Sequence, residues 1–172
     1  MGNTLQTATH GDRMFRSGGF VADCVSTVEP EQVQPNGVDL TVAAVHEQRD
    51  SGWIGREDKH VGDRTAVEPD EVGEQVPPTY YLEPGGYVVE YGERVAVPEE
   101  HVGFVLPRST LLRNACTLET AVWDPGYEGR GEGLLTVHND IAVEQDARIG
   151  QFVLAAADHG GVYDGDYQGE HL

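Results

Sequence analysis

Residues 102–115 have the sequence VGFVLPRSTLLRNA, in which an apolar run is followed by a Ser/Thr pair and a Leu-Leu-Arg turn. The first part, VGFVLP, predicts a β-strand, because Val and Phe favour extended backbone. The second part, residues 108–115, predicts a short helix, because Ser and Thr favour the first turn of a helix. No other stretch of the sequence has helical character, so we predict a single short helix.

Short strands account for the rest of the patterned sequence, and Gly, Pro, Asp or Asn residues bracket them. The predicted strands are residues 38–45, 86–97, 102–107, 133–139 and 150–157. Residues 47–79 are charged and rich in Gly and Pro, so they predict a long excursion of loops with room for a hairpin. Short, regularly spaced strands around one helix predict an all-β fold, a barrel of the Greek-key or jelly-roll type.

The length of 172 residues suits one domain with its own core and is too short for two ordinary domains. Residues 1–13 are polar and lack periodicity. We predict that they are a disordered extension or an over-long start, with Met14 as the alternative first residue. Residues 14–172 then form a single domain.

The net charge is strongly negative. Thirty acidic residues against 11 basic ones give −19 at pH 7, the excess is spread along the chain, and Lys59 is the only lysine. Self-repulsion of this size destabilises a compact chain unless salt screens it, so we predict a halophilic protein. The charge also excludes nucleic acid as a partner, because binding a phosphate backbone requires a basic surface.

The sequence also indicates a compartment. The two cysteines, Cys24 and Cys116, are too few for a disulfide framework and suit a reducing interior, so we predict a cytoplasmic protein. The sequence has no run of 18 or more apolar residues and no positively charged segment leading into an apolar one. It therefore predicts neither a membrane span nor a secretory signal.

Four segments stand out, and the first two along the chain are QPNGVDL and PRSTLLR. In QPNGVDL, Asp39 lies just inside a strand after a Pro-Asn-Gly turn, which ordinary turn chemistry also explains. In PRSTLLR, a helix start carries Arg108, Ser109 and Thr110. Exposed N–H groups, hydroxyls and an arginine suit an anion, and a plain Ser/Thr N-cap is the alternative.

The other two segments follow later in the chain. In TAVWDPGYEGRGEG, Asp124 lies where an apolar strand meets a Pro-Gly turn, with Tyr127 three residues on. A carboxylate at such a strand end suits a general base acting on water, and a common Asp-Pro-Gly turn is the alternative. In ARIGQFVLA, Arg148 and Gln151 lead into a strand, which a polar lead-in to that strand also explains.

Taken in this order, the segments resemble the motifs of the dUTPase and dCTP deaminase superfamily. The resemblance is most specific in PRSTLLR, followed by AVWDPGYEG and RIGQFVL, while QPNGVDL matches the first motif. The segment YDGDYQG, residues 163–169, resembles the carboxy-terminal segment of the deaminase branch. The pattern is most similar to the short haloarchaeal dUTPases, whose fold is a distorted β-barrel or jelly-roll.

The resemblance implies a reaction and a set of site residues. It implies hydrolysis of dUTP to dUMP and pyrophosphate, in which Asp124 deprotonates the water that attacks the α-phosphorus. It implies that Tyr127 packs under the deoxyribose and that Asp39 lies near metal-bound waters. The other residues that it implies in substrate binding are Arg108, Ser109, Thr110, Arg113, Gln151, Tyr167 and Gln168.

A cofactor and an assembly are implied in the same way. Members of the superfamily use Mg²⁺, which suits a chain of charge −19, because such a chain needs a cation to hold a triphosphate. The resemblance also implies a homotrimer whose sites lie at the subunit interfaces.

Three functions stay open at this point. Deaminases carry a glutamate on the strand after the Asp-Pro-Gly turn, where this chain has Thr136, and threonine cannot shuttle protons. Glu132 lies nearby but is expected to face the hairpin, so the difference favours dUTP hydrolysis alone. Arg113 and the tail around Tyr167 favour a dCTP deaminase or a bifunctional enzyme. A non-catalytic nucleotide-binding regulator is the third function, and the presence of Asp124 argues against it.

Overall fold

The computed structural model describes residues 14–71, 73 and 76–171. The predicted extension, residues 1–13, lies outside the described residues. The helical elements are α1 (Gly18–Ala22), a 3₁₀ turn (Pro30–Gln32) and α2 (Ser109–Arg113). The strands are β1 (Val33–Gln34), β2 (Gly37–Gln48), β3 (Trp53–Ile54), β4 (Lys59–His60), β5 (Arg64–Ala66), β6 (Thr79–Leu82), β7 (Gly85–Tyr91), β8 (Val95–Ala96), β9 (His101–Pro107), β10 (Cys116–Glu119), β11 (Glu128–Gly129), β12 (Glu132–Val137), β13 (Ile141–Glu144) and β14 (Arg148–Ala156).

One curled antiparallel sheet organises the fold, with strands in the order β10-β12-β7-β2-β14-β9. The sheet curls back on itself, because the segment after β10 bonds to β9 at the opposite edge. Gly103 and Trp123 exchange two backbone hydrogen bonds of 2.8 and 3.0 Å, and the Thr120 hydroxyl donates to the Val105 carbonyl. The fold is therefore nearly all-β and barrel-like, as the sequence predicts.

The longest strand, β2, lies at the centre of the core. Its first half pairs with β14 and its second half pairs with β7 and β5, with a shift of register between Val42 and Ala44. Such a bulge bends a strand and lets it turn a corner of a barrel. Val38, Leu40 and Val42 of this strand are fully buried, and each contributes about 1.5–3 kcal/mol through burial.

The predicted strands correspond to β2, β7, β9, β12 and β14, with ends that differ by at most three residues, apart from the strand predicted at 86–97. The predicted strand 86–97 is divided into β7 and β8, because the chain turns at Gly92 and directs the buried Glu93 carboxylate to the backbone N–H of Thr41. Three strands of four residues each, β6, β10 and β13, were not predicted, since they are too short to show a period.

The prediction of a single short helix is wrong. The predicted helix is present as α2, but α1 is a second one. Its sequence begins with two glycines, which have low helix propensity, so no local pattern indicated it. The Ser17 hydroxyl accepts a hydrogen bond from the Phe20 N–H, and a side chain at Gly18 would collide with the Gln34 carbonyl. No helix among the described residues is long and apolar enough to cross a membrane.

The excursion at residues 47–79 contains a hairpin, as its composition allows. This hairpin is formed by β3 and β4, and β5 then returns to the sheet, where Arg64 lies opposite Gln48 of β2. Lys59 in β4 reaches the carboxy-terminal end of the chain: its Nζ lies 2.5 Å from Asp166 and 4.9 Å from the centre of the Tyr167 ring. The excursion therefore contacts both the sheet and the end of the chain.

Candidate functional site

The hairpin between β10 and β12 positions the two residues that the sequence singles out most strongly. Asp124 follows Trp123 at the point where that segment leaves β9, and its side chain is exposed. The Tyr127 N–H donates to the Asp124 carbonyl in a turn that requires the positive φ of Gly126. Tyr127 is itself buried, and burial raises the pKa of its hydroxyl. The turn thus presents an exposed carboxylate beside a buried phenol.

A pocket of about 260 Å³ opens between this hairpin and the end of the chain. We call it the hairpin pocket. Aromatic rings line one side: Tyr127 makes edge contacts with Trp123 and Tyr163, with ring centres 5.2 and 5.5 Å apart. The lining residues are Arg64, Ala121, Val122, Trp123, Asp124, Tyr127, Gly131, Glu132, Tyr163, Tyr167 and Glu170.

Residues 163–171, which we call the tail, pack against the hairpin of the same chain. The Tyr163 N–H donates to the Pro125 carbonyl, and the Gly169 N–H donates to the Glu128 carbonyl. The Gln168 side chain donates to the Gly126 carbonyl within the turn and accepts a hydrogen bond from the Glu128 N–H just after it. The resemblance implies two substrate contacts in the tail. Of these, Tyr167 lines the hairpin pocket and Gln168 contacts the backbone of the hairpin beside it.

Charged groups form the opposite wall of the hairpin pocket. Arg64 Nη1 contacts both carboxylate oxygens of Glu132, at 2.6 and 2.7 Å. Glu132 also lies 3.3 Å from His171, and Glu90 is close to the same histidine. Burial, followed by the charge of Glu132, raises the pKa of the Glu170 carboxyl. The wall is acidic, and Arg64 is the cation that directly contacts Glu132 in the described part of the chain.

Sequence reasoning missed this wall. Arg64 and Glu132 are 68 residues apart, so no local spacing could join them. Glu132, which the sequence is expected to direct at the hairpin, also lines the hairpin pocket. On β12, Glu132, Leu134 and Thr136 share one face, while Gly133, Leu135 and Val137 are buried on the other.

A second group of predicted residues lies on the sheet, and we call it the arginine cluster. It consists of Asp39 on β2, Arg108 at the end of β9 and Arg148 on β14. Arg108 Nε lies 3.1 Å and Arg148 Nη1 lies 3.4 Å from Asp39 Oδ2, and the Asp39 side chain is almost fully buried. Burial raises the pKa of Asp39 and the two guanidinium groups oppose that rise. The cluster carries one negative and two positive charges.

The remaining predicted residues surround the arginine cluster. Gln151 lies opposite Asp39 in the β14–β2 pairing and is half-buried. Ser109, Thr110 and Arg113 are exposed on α2. The N-cap position is taken by Arg108, with no side-chain capping bond, so the Ser/Thr N-cap alternative is wrong. The exposed hydroxyls and the arginines thus form one polar surface.

The hairpin pocket and the arginine cluster are far apart within one chain. Trp123 pairs with Gly103 near the start of β9, whereas Arg108 follows the far end of the same strand. At about 3.3 Å per residue along a strand, Asp124 and Arg108 lie roughly 20 Å apart. The structure therefore divides the predicted site residues into two groups.

This geometry defines an all-β, barrel-like protein with a pocket at one hairpin and a separate arginine cluster. The sequence profile of the dCTP deaminase-like family matches residues 9–157, so the chain belongs to that family. It is 51% identical to the probable deoxyuridine 5′-triphosphate nucleotidohydrolase of Halobacterium salinarum over 91% of this chain and 95% of the relative.

Two further comparisons concern a second archaeal relative and a solved structure. The chain is 38% identical to the deoxyuridine 5′-triphosphate nucleotidohydrolase of Methanocaldococcus jannaschii, over 83% of this chain and 90% of the relative. Among solved structures it is similar to a 2′-deoxycytidine 5′-triphosphate deaminase from Agrobacterium tumefaciens, with a TM-score of 0.62 and 17% identity. That match covers 83% of this chain but spans about half, 49%, of the solved chain, so the likeness concerns the fold.

Proposed function

We propose that this protein hydrolyses dUTP to dUMP and pyrophosphate. The observation that carries the proposal is the exposed Asp124 carboxylate at the hairpin pocket, in a chain 51% identical to a relative named as a dUTP nucleotidohydrolase. In the proposed reaction Asp124 accepts a proton from the water that attacks the α-phosphorus, and the pyrophosphate leaves. The buried ring of Tyr127 closes the hairpin pocket beneath the deoxyribose.

The arginine cluster and the polar residues around it supply the phosphate contacts in this proposal. Arg108, Ser109 and Gln151 bind the triphosphate, with Thr110 and Arg113 beside them on α2. An exposed hydroxyl and a guanidinium group are suited to phosphate oxygens, because both donate hydrogen bonds to an anion. One unit of positive charge remains after Asp39 neutralises one of its two arginines. This excess is favourable for a triphosphate.

Magnesium fits this site as an ion that arrives with the triphosphate. The Asp39 carboxylate is buried and directed at two arginines, so it is unsuited to direct ligation and suits a contact through water. Mg²⁺ commonly keeps several waters and takes the rest of its ligands from substrate phosphates. When bound, the ion neutralises charge on the phosphate oxygens.

We further propose a homotrimer with each site shared between chains. The distance of roughly 20 Å between Asp124 and Arg108, estimated from the length of β9, supports this assembly. A neighbouring copy that places its arginine cluster against the hairpin pocket completes a site. Closed symmetry then repeats the contact around the ring.

The absence of a glutamate at the deaminase position supports hydrolysis without deamination. The face of β12 that Glu132 shares carries Leu134 and Thr136, and neither side chain can shuttle a proton. Glu132 itself is held by Arg64.

The test is product analysis with purified protein in Mg²⁺ and molar KCl. We expect dUTP to give dUMP and pyrophosphate, and dCTP to give no uracil-containing product. Formation of dUTP or dUMP from dCTP would establish a deaminase or a bifunctional enzyme instead. Binding of dUTP without turnover would establish a non-catalytic regulator.

The charge of −19 supports a halophilic protein that works in a salt-rich cytoplasm. We also propose that residues 14–172 form one domain, because a single sheet joins strands from β2 to β14. We expect the melting temperature to rise steeply between 0.1 and about 2 M KCl, since salt screens repulsion between exposed carboxylates. A melting temperature independent of salt would contradict this proposal.

A further inference from the structure

We propose that Arg64 is a specificity-determining residue that selects a pyrimidine with a 4-keto group, uracil, over one with a 4-amino group, cytosine. The inference rests on the proposed function, because it takes the base of the nucleotide to enter the hairpin pocket. Arg64 belongs to β5 in the excursion and lies outside every motif segment of the sequence. The sheet pairing of β5 with β2 brings it to the wall of that pocket.

Arg64 has unused hydrogen-bonding capacity. A guanidinium group carries five N–H donors in one plane. Nη1 alone makes both contacts with Glu132. Nε is buried and has no acceptor among the described residues. A buried donor without a partner is unfavourable. The Arg64 side chain lines the hairpin pocket and is 26% exposed, so its remaining donors can reach a ligand there.

Uracil and cytosine differ at C4, the position that an Arg64 donor is proposed to contact. Uracil carries a carbonyl oxygen at C4, which accepts hydrogen bonds, whereas cytosine carries an amino group there, which donates them. An arginine at that position donates a hydrogen bond to the uracil oxygen. With cytosine, its N–H donors would meet the N–H donors of the amino group, which is unfavourable. A site built to pair with one polar group discriminates strongly against a ligand that lacks it, because its own buried group is then left unpaired.

The contact with Glu132 strengthens this selection. A carboxylate at the hairpin pocket accepts hydrogen bonds only, so an unmasked Glu132 would attract the cytosine amino group and repel the uracil oxygen. Arg64 engages both oxygens of that carboxylate. Removal of Arg64 therefore takes away a donor for uracil and at the same time exposes an acceptor for cytosine.

The experiment compares the hydrolysis of dUTP and dCTP by wild type and Arg64→Gln, followed by pyrophosphate release in Mg²⁺ and molar KCl. We expect Arg64→Gln to lower the dUTP/dCTP ratio of kcat/KM by at least about tenfold, mainly through KM. Binding of non-hydrolysable α,β-imido analogues of both nucleotides should show the same loss. Arg49→Gln is the matched control, because Arg49 lies in the same excursion and forms an exposed pair with Glu47.

A double variant separates specificity from structural support. Arg64→Gln leaves Glu132 without its cation, and Arg64→Gln combined with Glu132→Gln removes both charges. We expect the double variant to recover the melting temperature while the dUTP/dCTP ratio stays below that of wild type. Recovery of the ratio together with the melting temperature would show that Arg64 only neutralises Glu132, and would overturn the proposal.

The outcomes also separate this inference from the proposed function. If wild type neither binds nor hydrolyses dUTP, the proposed function fails and this inference fails with it. If wild type prefers dUTP and Arg64→Gln keeps that preference within twofold, only the role of Arg64 is overturned.

Discussion

The hairpin pocket and the arginine cluster are built in different ways. The hairpin pocket is enclosed by a turn, the tail and part of the excursion, and its side chains include exposed Asp124 and Tyr167. The arginine cluster is formed by side chains from β2, from β14 and from the residue that follows β9, around an almost fully buried carboxylate, Asp39. The comparison teaches that the proposed proton acceptor lies on a turn at the surface, whereas the proposed phosphate contacts surround a buried carboxylate in the sheet.

The contacts that support the arginine cluster also differ from those that hold the tail at the hairpin pocket. Under the arginine cluster, buried Gln32 donates to the Asp39 carbonyl and to the buried Glu93 carboxylate. At the hairpin pocket, the tail is attached by backbone bonds and by the exposed pair of Lys59 and Asp166. Exposed ion pairs contribute little and are screened by salt. Opening of the tail is therefore far easier than disruption of the sheet.

The largest expected effect concerns the carboxylate at the hairpin pocket. We expect Asp124→Asn to lower kcat for dUTP hydrolysis by about 10³-fold, because the amide cannot accept a proton from water. The melting temperature should stay unchanged, since the Asp124 side chain is exposed. Glu99→Gln, which removes another exposed carboxylate, is the control. Retention of wild-type kcat by Asp124→Asn would remove the hairpin pocket from the chemistry.

A mixing experiment tests whether the two regions meet between chains. Asp124→Asn and Arg108→Gln are each expected to be inactive. Trimers reassembled from an equal mixture should regain activity at about one quarter of their sites. At a shared site, Asp124 comes from one chain and Arg108 from another, and each is intact in about half of the chains. If one chain supplied both residues to a site, the mixture would stay inactive.

The rigidity of the region under the arginine cluster predicts a loss of stability. Gln32→Leu removes one hydrogen-bond donor from the buried Glu93 carboxylate and one from the Asp39 carbonyl. We expect the free energy of unfolding to fall by about 3 kcal/mol, measured by denaturant titration in molar KCl. Gln34→Leu should cost less than about 1 kcal/mol, because its bond to the Glu31 carbonyl is exposed. Equal losses for the two variants would contradict the comparison.

The smallest expected effect is a pH dependence of the tail. Burial and then Glu132 raise the pKa of Glu170 above its ordinary value of 4.5 in the docked tail. Docking is therefore most favourable below pH 4.5 and weakens as the pH rises through the raised pKa. Hydrogen exchange of tail amides, corrected for its intrinsic pH dependence, should show this weakening. Glu170→Gln should abolish it, and an unchanged pH profile in that variant would assign the effect to another group.

Much of the fold was predictable from local sequence. Alternation of Val and aromatic residues indicated the long strands, because burial on one face of a sheet imposes a period of two. The strand-to-helix junction at Arg108 was indicated by the Ser/Thr pair that follows the apolar run. The helix α1 and the division of β7 from β8 were not, since contacts with distant strands decide both.

By itself, the sequence determined the identity of the main chemical groups. Asp124 and Tyr127 share one turn, so their proximity follows from local spacing. Only the tertiary structure decided what lies opposite them. Arg64 reaches Glu132 across 68 residues, and the ends of β9 keep Asp124 away from Arg108. Sequence patterns report contacts between near neighbours, whereas sheet pairing and chain closure join residues whose separation along the chain carries no pattern.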